Sequence, residues 1–272
     1  MFQQTLKRPI RQSGIGIHTG AYAEVAIYPA PSSSGITFVR EDLAGKPLIP
    51  ALVHNVADAT RGTTLGRNKA TISTVEHVLS ALWSMGIDNA RIEVKGKEIP
   101  NLDGSALPWV RMIGAAGLQQ QRRNRIVLRV EQAIGVRGGD SSISIYPYKG
   151  FRLISLLSYP DRVVGTLPVV FESRNGSYAG KIAPARTFGF LSEVRFLHRK
   201  GLAKGGTLES ALVIGNNRYL NKPRFPDEPA RHKVLDILGD LALLGFRLEG
   251  CVVAVKSGHR LHHRLVERLS KI

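Results

Sequence analysis

With a single cysteine, Cys251, in 272 residues, the chain can close no internal disulfide. That points to a reducing compartment, and the apolar run "EGCVVAV" around Cys251 predicts a buried strand thiol. The sequence has no run of 18 apolar residues, which argues against a membrane-spanning helix. The opening stretch "MFQQTLKRPIRQSG" lacks the apolar segment of a signal peptide, so a cytoplasmic protein is expected. Acidic residues are scarce: 21 Asp and Glu stand against 38 Lys and Arg, for a net charge of +17. Such an excess suits nucleic acid, an anionic membrane surface or a polyanionic small substrate, and does not choose among them. Aromatic residues make up only 7% and the basic residues are scattered, which weakens the case for a base-stacking nucleic-acid platform. "GIGIHTG" is too irregular for a dinucleotide fingerprint, so no Rossmann domain follows from it.

What is present describes a globular protein. The 43% hydrophobic and 22% charged content exclude a disordered chain, and the length suits one large domain or two ordinary ones. "GAYAEVAIYPAP", "SSSGITFVRED" and "NARIEVKGKEIP" read as strands. "ISTVEHVLSALWSMGI" and "SALPWVRMIGAAGL" read as helices, the first with a capping box of Ser73 and Glu76. The polar stretch "QQQRRNR" reads as a linker. Beyond it come the strands "IVLRVEQAIGV", "SSISIYPY" and "FRLISLLSYP", and a short helix in "SEVRFLHRKGLA". A long helix in "ARHKVLDILGDLALLGF" follows, then the strand "CVVAVKSG" and a last basic helix in "HHRLVERLSKI". The two halves echo one another. "EHVLSALWSMGIDNARIEVKG" and "HKVLDILGDLALLGFRLEGCVVAVKSG" each give a helix, a glycine turn and a strand ending in Val-Lys.

The long helix carries an anomaly. His232, Asp236 and Asp240 recur at intervals of four and lie along one slanted stripe beside its apolar face. Unpaired charge is costly in a core, so the stripe needs partners. His232 and Asp236, one turn apart, suit a shared cation; they equally suit an aspartate orienting a structural histidine. In the echoing helix His77 would complete a set of two imidazoles and one carboxylate, with the adjacent Glu76 a ready general base, although taken alone His77 reads as a partly exposed histidine at a helix start. In "KSGHRLHH", His259 follows a strand where a loop can aim it into a cleft, with Asp240 holding it cationic as a proton donor. The spacing equally allows a surface histidine and an aspartate paired with a nearby arginine. At least one of His262 and His263 reads as a surface histidine of a basic tail. Thr187 in "ARTFGF" would donate to an oxyanion or simply end a strand.

Taken in order, "TLKRPIRQSGIGIHTG", "STVEHVLSAL", "GIDNARIEV", "IPNLDGSALPWV", "ARTFGF", "GLAKGGTLESALV", "RHKVLDILGDLALLG" and "KSGH" resemble the UDP-3-O-acyl-N-acetylglucosamine deacetylases of lipid A biosynthesis over nearly the whole chain. The resemblance implies an α+β fold of two related domains, 1–121 and 122–272, each a sheet plus two helices, with the helices packed between the sheets. It implies zinc, or iron(II) in the cell, on His77, His232 and Asp236, with Glu76 as general base and His259 as general acid. Asp240 would orient His259, and Thr187 would stabilise the oxyanion. His18, Lys233 and Phe188 would contact substrate. An insertion at 186–215 would line an acyl passage with Phe190, Leu191, Val194, Leu197, Leu202 and Ala203. The implied partner is UDP-3-O-acyl-N-acetylglucosamine, turned over by a cytoplasmic monomer with at most a weak membrane-surface association and no nucleic acid. The alternatives are a basic nucleic-acid-binding module and a catalytically silent relative that binds the nucleotide sugar. The chain departs from the family in its basic "RLHHRL", in its unusually positive charge and in lacking an extended acidic tail.

Overall fold

The computed structural model describes residues 1–160, 163–173 and 177–272. It begins with β1 (Phe2–Leu6), β2 (Ile10–Ile15), β3 (Tyr22–Pro29), β4 (Ile36–Arg40) and β5 (Leu48–Pro50). A small antiparallel sheet of β6 (Val56–Asp58), β7 (Thr64–Arg67) and β8 (Ala70–Ile72) leads into α1 (Glu76–Ser84) and β9 (Ala90–Lys95). The first large sheet runs β2-β3-β9-β4-β5, with β3 antiparallel and β4 parallel to β9. Residues of β3 and β9 alternate between buried and outward positions, as one-sided burial of a strand requires. Ile27, Phe38 and Ile92 form the fully buried inner row.

After α2 (Leu107–Ala116), β10 (Leu118–Asn124) pairs with β1, Leu6 opposite Leu118. The stretch expected to be a linker is therefore a strand. Six of its seven side chains are exposed, so no hydrophobic alternation marks it in the sequence.

The second half supplies β11 (Val127–Arg129), β12 (Ile134–Gly138), β13 (Ser141–Tyr146), β14 (Phe151–Ser158) and β15 (Thr166–Glu172). Then come α3 (Ser177–Lys181), β16 (Phe188–Phe190), α4 (Leu191–Arg199), β17 (Leu212–Ile214), α5 (Glu228–Leu241), β18 (Arg247–Val255) and α6 (His259–Leu269). The second large sheet runs β12-β13-β18-β14-β15, with β11 also on β18. Here β13 is antiparallel and β14 parallel to β18, the same relation that β3 and β4 bear to β9. The echo read in the sequence is thus an echo of topology. In each half a helix precedes the central strand, because two parallel strands need a crossover between them. Each helix leaves through a left-handed glycine, Gly86 at φ 83 and Gly245 at φ 82.

Both α1 and α5 are buried nearly all round, and they cross in close contact. A Cβ built on Gly239 would lie 2.2 Å from the carbonyl oxygen of Glu76, so only glycine lets the two backbones meet there. This crossing brings the start of α1 against the polar stripe of α5.

Three local expectations need correction. Ser73 and Glu76 form no capping box: Val75 precedes the helix with no side-chain cap, and Glu76 turns to Thr63. The last helix starts at His259, not His262, with Gly258 before its first turn. Cys251 lies on the partly exposed face of β18, not in the core, although burial still raises its thiol pKa.

Candidate active site

His232, Asp236 and Asp240 project from α5 at one-turn intervals, and all three are buried. His77 and Glu76 meet them from the first turn of α1. The Asp236 Oδ1 lies 3.3 Å from His232 Nε2 and 4.0 Å from His77 Nε2. The two imidazoles stand edge to face at 86° with centroids 5.0 Å apart. One ligand atom from each of His77, His232 and Asp236 fits within 4.8 Å.

The donor chemistry fits a cation. His232 Nδ1–H donates to the carbonyl of Ala185 at 3.0 Å, which leaves Nε2 as a bare lone pair turned to the cluster. Burial, with the neighbouring His232, pushes His77 down to about 3, so its ring is neutral. Burial also lowers His232, although Asp236 opposes it. Burial alone would raise Asp236, but Lys233 and the surrounding histidines outweigh it and keep the carboxyl ionised. Three acceptors therefore converge in a buried space. Lys233 Nζ, 2.7 Å from Asp236 Oδ2, holds the other carboxylate oxygen. A divalent cation would resolve this convergence, and a set of two nitrogens and one oxygen with a side open to the cleft suits a catalytic rather than a closed structural site.

Two proton-handling groups flank the set. Burial raises Glu76 to about 7, and its Oε2 accepts the Thr63 main-chain N–H at 3.0 Å. Burial would lower His259, yet Asp240 reverses this and holds the imidazolium to about 9. His259 Nδ1–H donates to Asp240 Oδ2 at 2.7 Å, and its Nε2 faces Asp236 Oδ2 at 3.9 Å.

Asp240, fully buried, has more partners than the spacing suggested. His262 Nδ1 donates to the same Oδ2 at 2.7 Å, His263 Nε2 to Oδ1 at 3.1 Å and the Thr63 hydroxyl to Oδ1 at 2.5 Å. The Ser257 hydroxyl meets His262 Nε2 at 2.9 Å and fixes that ring from behind. His262 and His263 are 0% and 5% exposed, so the expected surface histidine is overturned. Because α6 starts at His259, positions 259, 262 and 263 share one helical face, and that face turns to α5.

These groups line or back a cleft of about 810 Å³. His18, Thr187, Phe188, Phe190 and Lys233 stand on its wall with Glu76, His77, His232, Asp236 and His259. Tyr159, not foreseen from sequence, joins Phe190 and Phe188 with ring centroids 5.1 and 6.1 Å away. Leu191, Val194 and Leu202 do not reach the wall. Leu191 is 50% exposed on α4, whose residues are all at least partly open to solvent. Lys256, Arg260 and Arg264 make the opposite rim basic. Tyr159 and Thr63 gave no signal in the sequence. For His262 and His263 the signal was the three- and four-residue spacing from His259, visible once the helix start is known.

A neutral two-imidazole, one-carboxylate set between a carboxylate near neutrality and a held imidazolium suits a mononuclear metal-dependent hydrolase. The chain belongs to the UDP-3-O-acyl N-acetylglycosamine deacetylase family, whose sequence model matches residues 3–271. It is 41% identical over 269 residues to the UDP-3-O-acyl-N-acetylglucosamine deacetylase of Myxococcus xanthus, covering 98% of this chain and 86% of that one. Against the enzyme of that name from Citrifermentans bemidjiense it is 43% identical over 273 residues, covering 100% and 90%. The Trichormus variabilis enzyme of that name is 41% identical over 276 residues, covering 99% and 98%. Among the described residues, no helix is long and apolar enough to cross a membrane.

Proposed function

We propose that this chain hydrolyses the N-acetyl group of UDP-3-O-acyl-N-acetylglucosamine, releasing acetate and the free 2-amine in lipid A biosynthesis. The observation that carries the reading is the pair of oppositely tuned proton carriers, Glu76 and His259, on either flank of the candidate ligand set. Held by His77, His232 and Asp236, a divalent cation would supply Lewis-acid polarisation and a more acidic water, and zinc suits that donor set, with iron(II) the alternative.

The residues divide the proton work. Glu76 takes a proton from the attacking water, for which a carboxylate tuned near neutral pH is well matched. His259 returns one to the amide nitrogen, so that nitrogen leaves as an amine. Asp240 keeps His259 charged and aimed. Thr187 offers its hydroxyl to the developing oxyanion, where a well-placed donor is typically worth about 3–4 kcal/mol. Lys233, Lys256, Arg260 and Arg264 suit the diphosphate. His18, Phe188, Phe190 and Tyr159 suit the sugar and the start of the acyl chain, whereas Leu191, Val194 and Leu202 would serve only farther out.

We also infer a cytoplasmic monomer built from units 1–121 and 122–272, with transient contact to anionic membranes. The topological echo supports two units, and the net charge supports the contact. Light scattering at micromolar concentration tests the first point. Equal binding to liposomes with and without anionic lipid would remove the second. The test of function is direct: purified, metal-loaded chain is mixed with UDP-3-O-acyl-N-acetylglucosamine. Acetate and free amine in equal amounts are expected; a folded, loaded protein that releases neither contradicts the proposal.

A further inference from the structure

A second cavity, of about 280 Å³, opens at the far ends of the two helices that carry the candidate ligand set. Trp83, near the end of α1, and Ala242, just past α5, line it together with Ile36, Leu52, Ile126 and Phe246. Along α1, Trp83 lies about 9 Å beyond His77 at the usual helical rise. This cavity shares no lining residue with the catalytic cleft.

Its chemistry is one-sided. The only charged side chains among its lining residues are Asp88, Arg125 and Arg247. Asp88 accepts from Arg125 Nε at 3.0 Å and from Arg247 Nε at 3.1 Å, and also from the main-chain N–H of Gln4. The side chains are only 13%, 11% and 14% exposed, so one carboxylate is shared by two largely buried cations. One positive charge is left unbalanced, and burial pushes Arg247 down to about 10 in spite of Asp88. Arg247 also donates to the carbonyls of Trp83 and Ile87, yet a guanidinium has further N–H groups to offer. Trp83 is 8% exposed, and its indole N–H is buried with no acceptor among the described residues. Each unmet demand is for an acceptor or a negative charge, while Ile36, Leu52, Ile126 and Phe246 make much of the wall apolar.

We propose that this cavity is a ligand site for a small carboxylate with an apolar body, such as a medium-chain fatty acid. The carboxylate meets Arg125, Arg247 and the Trp83 indole, and the apolar part lies along Ile36, Leu52 and Phe246. The proposal goes beyond the deacetylase reading and stands whatever the catalytic cleft hydrolyses.

The test is calorimetric titration of the full, metal-loaded chain with sodium octanoate and, in parallel, with 1-octanol. The catalytic cleft is first saturated with UDP-3-O-acyl-glucosamine, so that only the second cavity is free. Ile126→Glu places a carboxylate at the cavity; Ile126 is 65% exposed and outside the catalytic cleft, so fold and deacetylation should be unchanged. Saturable octanoate binding is expected, at least about tenfold weaker in Ile126→Glu, with 1-octanol weaker than octanoate by a similar factor. Three results each overturn the proposal: no saturable binding, octanoate binding that Ile126→Glu leaves intact, or 1-octanol binding as tightly as octanoate.

Discussion

Glu76 and His259 illustrate how burial alone can push in one direction and a neighbour in the other. Glu76 has no cation bonded to it and is raised; His259 has Asp240 and is raised against its burial. The sign for activity follows. With Glu76 as the proposed base, ionised to act, the rate should climb as pH rises through about 7; with His259 as the proposed acid, charged to act, it should fall as pH rises through about 9. A dication beside both groups moves both limits downward, and the bell shape remains. The profile of kcat/KM against pH checks this, and a flat profile through the neutral range would contradict the pairing. Glu76→Gln should remove the rising limb and lower kcat by about 10²- to 10⁴-fold while metal content stays unchanged.

His262→Ala removes one donor from a fully buried carboxylate. It should cost about 1–3 kcal/mol of stability and lower kcat with little change in KM, because His259 loses its fixed partner geometry. Denaturant unfolding beside steady-state kinetics separates the two effects. His232, Asp236 and Asp240 stood out in the sequence because polar residues at helical spacing on an apolar face demand an explanation. His77, buried at the start of α1, carried no such stripe and was drawn in only by the echo between the two helices. Thr63, His262 and His263 did not stand out, since their meaning depends on a contact between α6 and α5 that no local pattern carries.

Among the elements, α5 depends on what happens at both ends and in its middle. At its start Glu228, fully buried, takes the Arg186 main-chain N–H and Nε, each at 2.9 Å. Burial would raise the Glu228 carboxyl, but Arg186 and main-chain donors hold it below its ordinary value. A folded pKa below the unfolded one means that the pair contributes stability above the ordinary glutamate range, lost as pH falls through the folded value. Arg186→Met removes the charged partner of that buried carboxylate, leaving it main-chain N–H donors only, and should cost about 3–5 kcal/mol, read by denaturant unfolding at neutral pH. In its middle, Gly239→Ala must force α1 and α5 apart, by about 1–3 kcal/mol of strain, and should weaken metal binding because the ligand set spans both helices. Unchanged metal affinity in a folded Gly239→Ala protein would contradict that dependence. The strands with one buried face were readable from alternation. β10 was not, because almost nothing on it is buried, and the capping box failed because the Glu76 side chain turns to the Thr63 backbone beside Asp240.

For the whole molecule, the repeated unit is two strands, a helix and a central strand, once around β9 and once around β18. Glycine turns and Val-Lys strand ends made the repeat visible, but strand order was not, since it is set by long-range pairing. The consequence of the repeat is that α1 and α5 meet face to face, and the candidate set draws on both. We propose that His77 and His232, one from each helix, act together as a single metal centre for deacetylation. The decisive measurement is zinc content and deacetylase activity followed together in wild type and in His232→Ala, after chelation and stepwise addition of zinc. Wild-type activity should vanish on chelation and return in proportion to zinc up to one ion per chain, while folded His232→Ala retains little of either. Full activity in the chelated protein, or in a zinc-free His232→Ala, would contradict it.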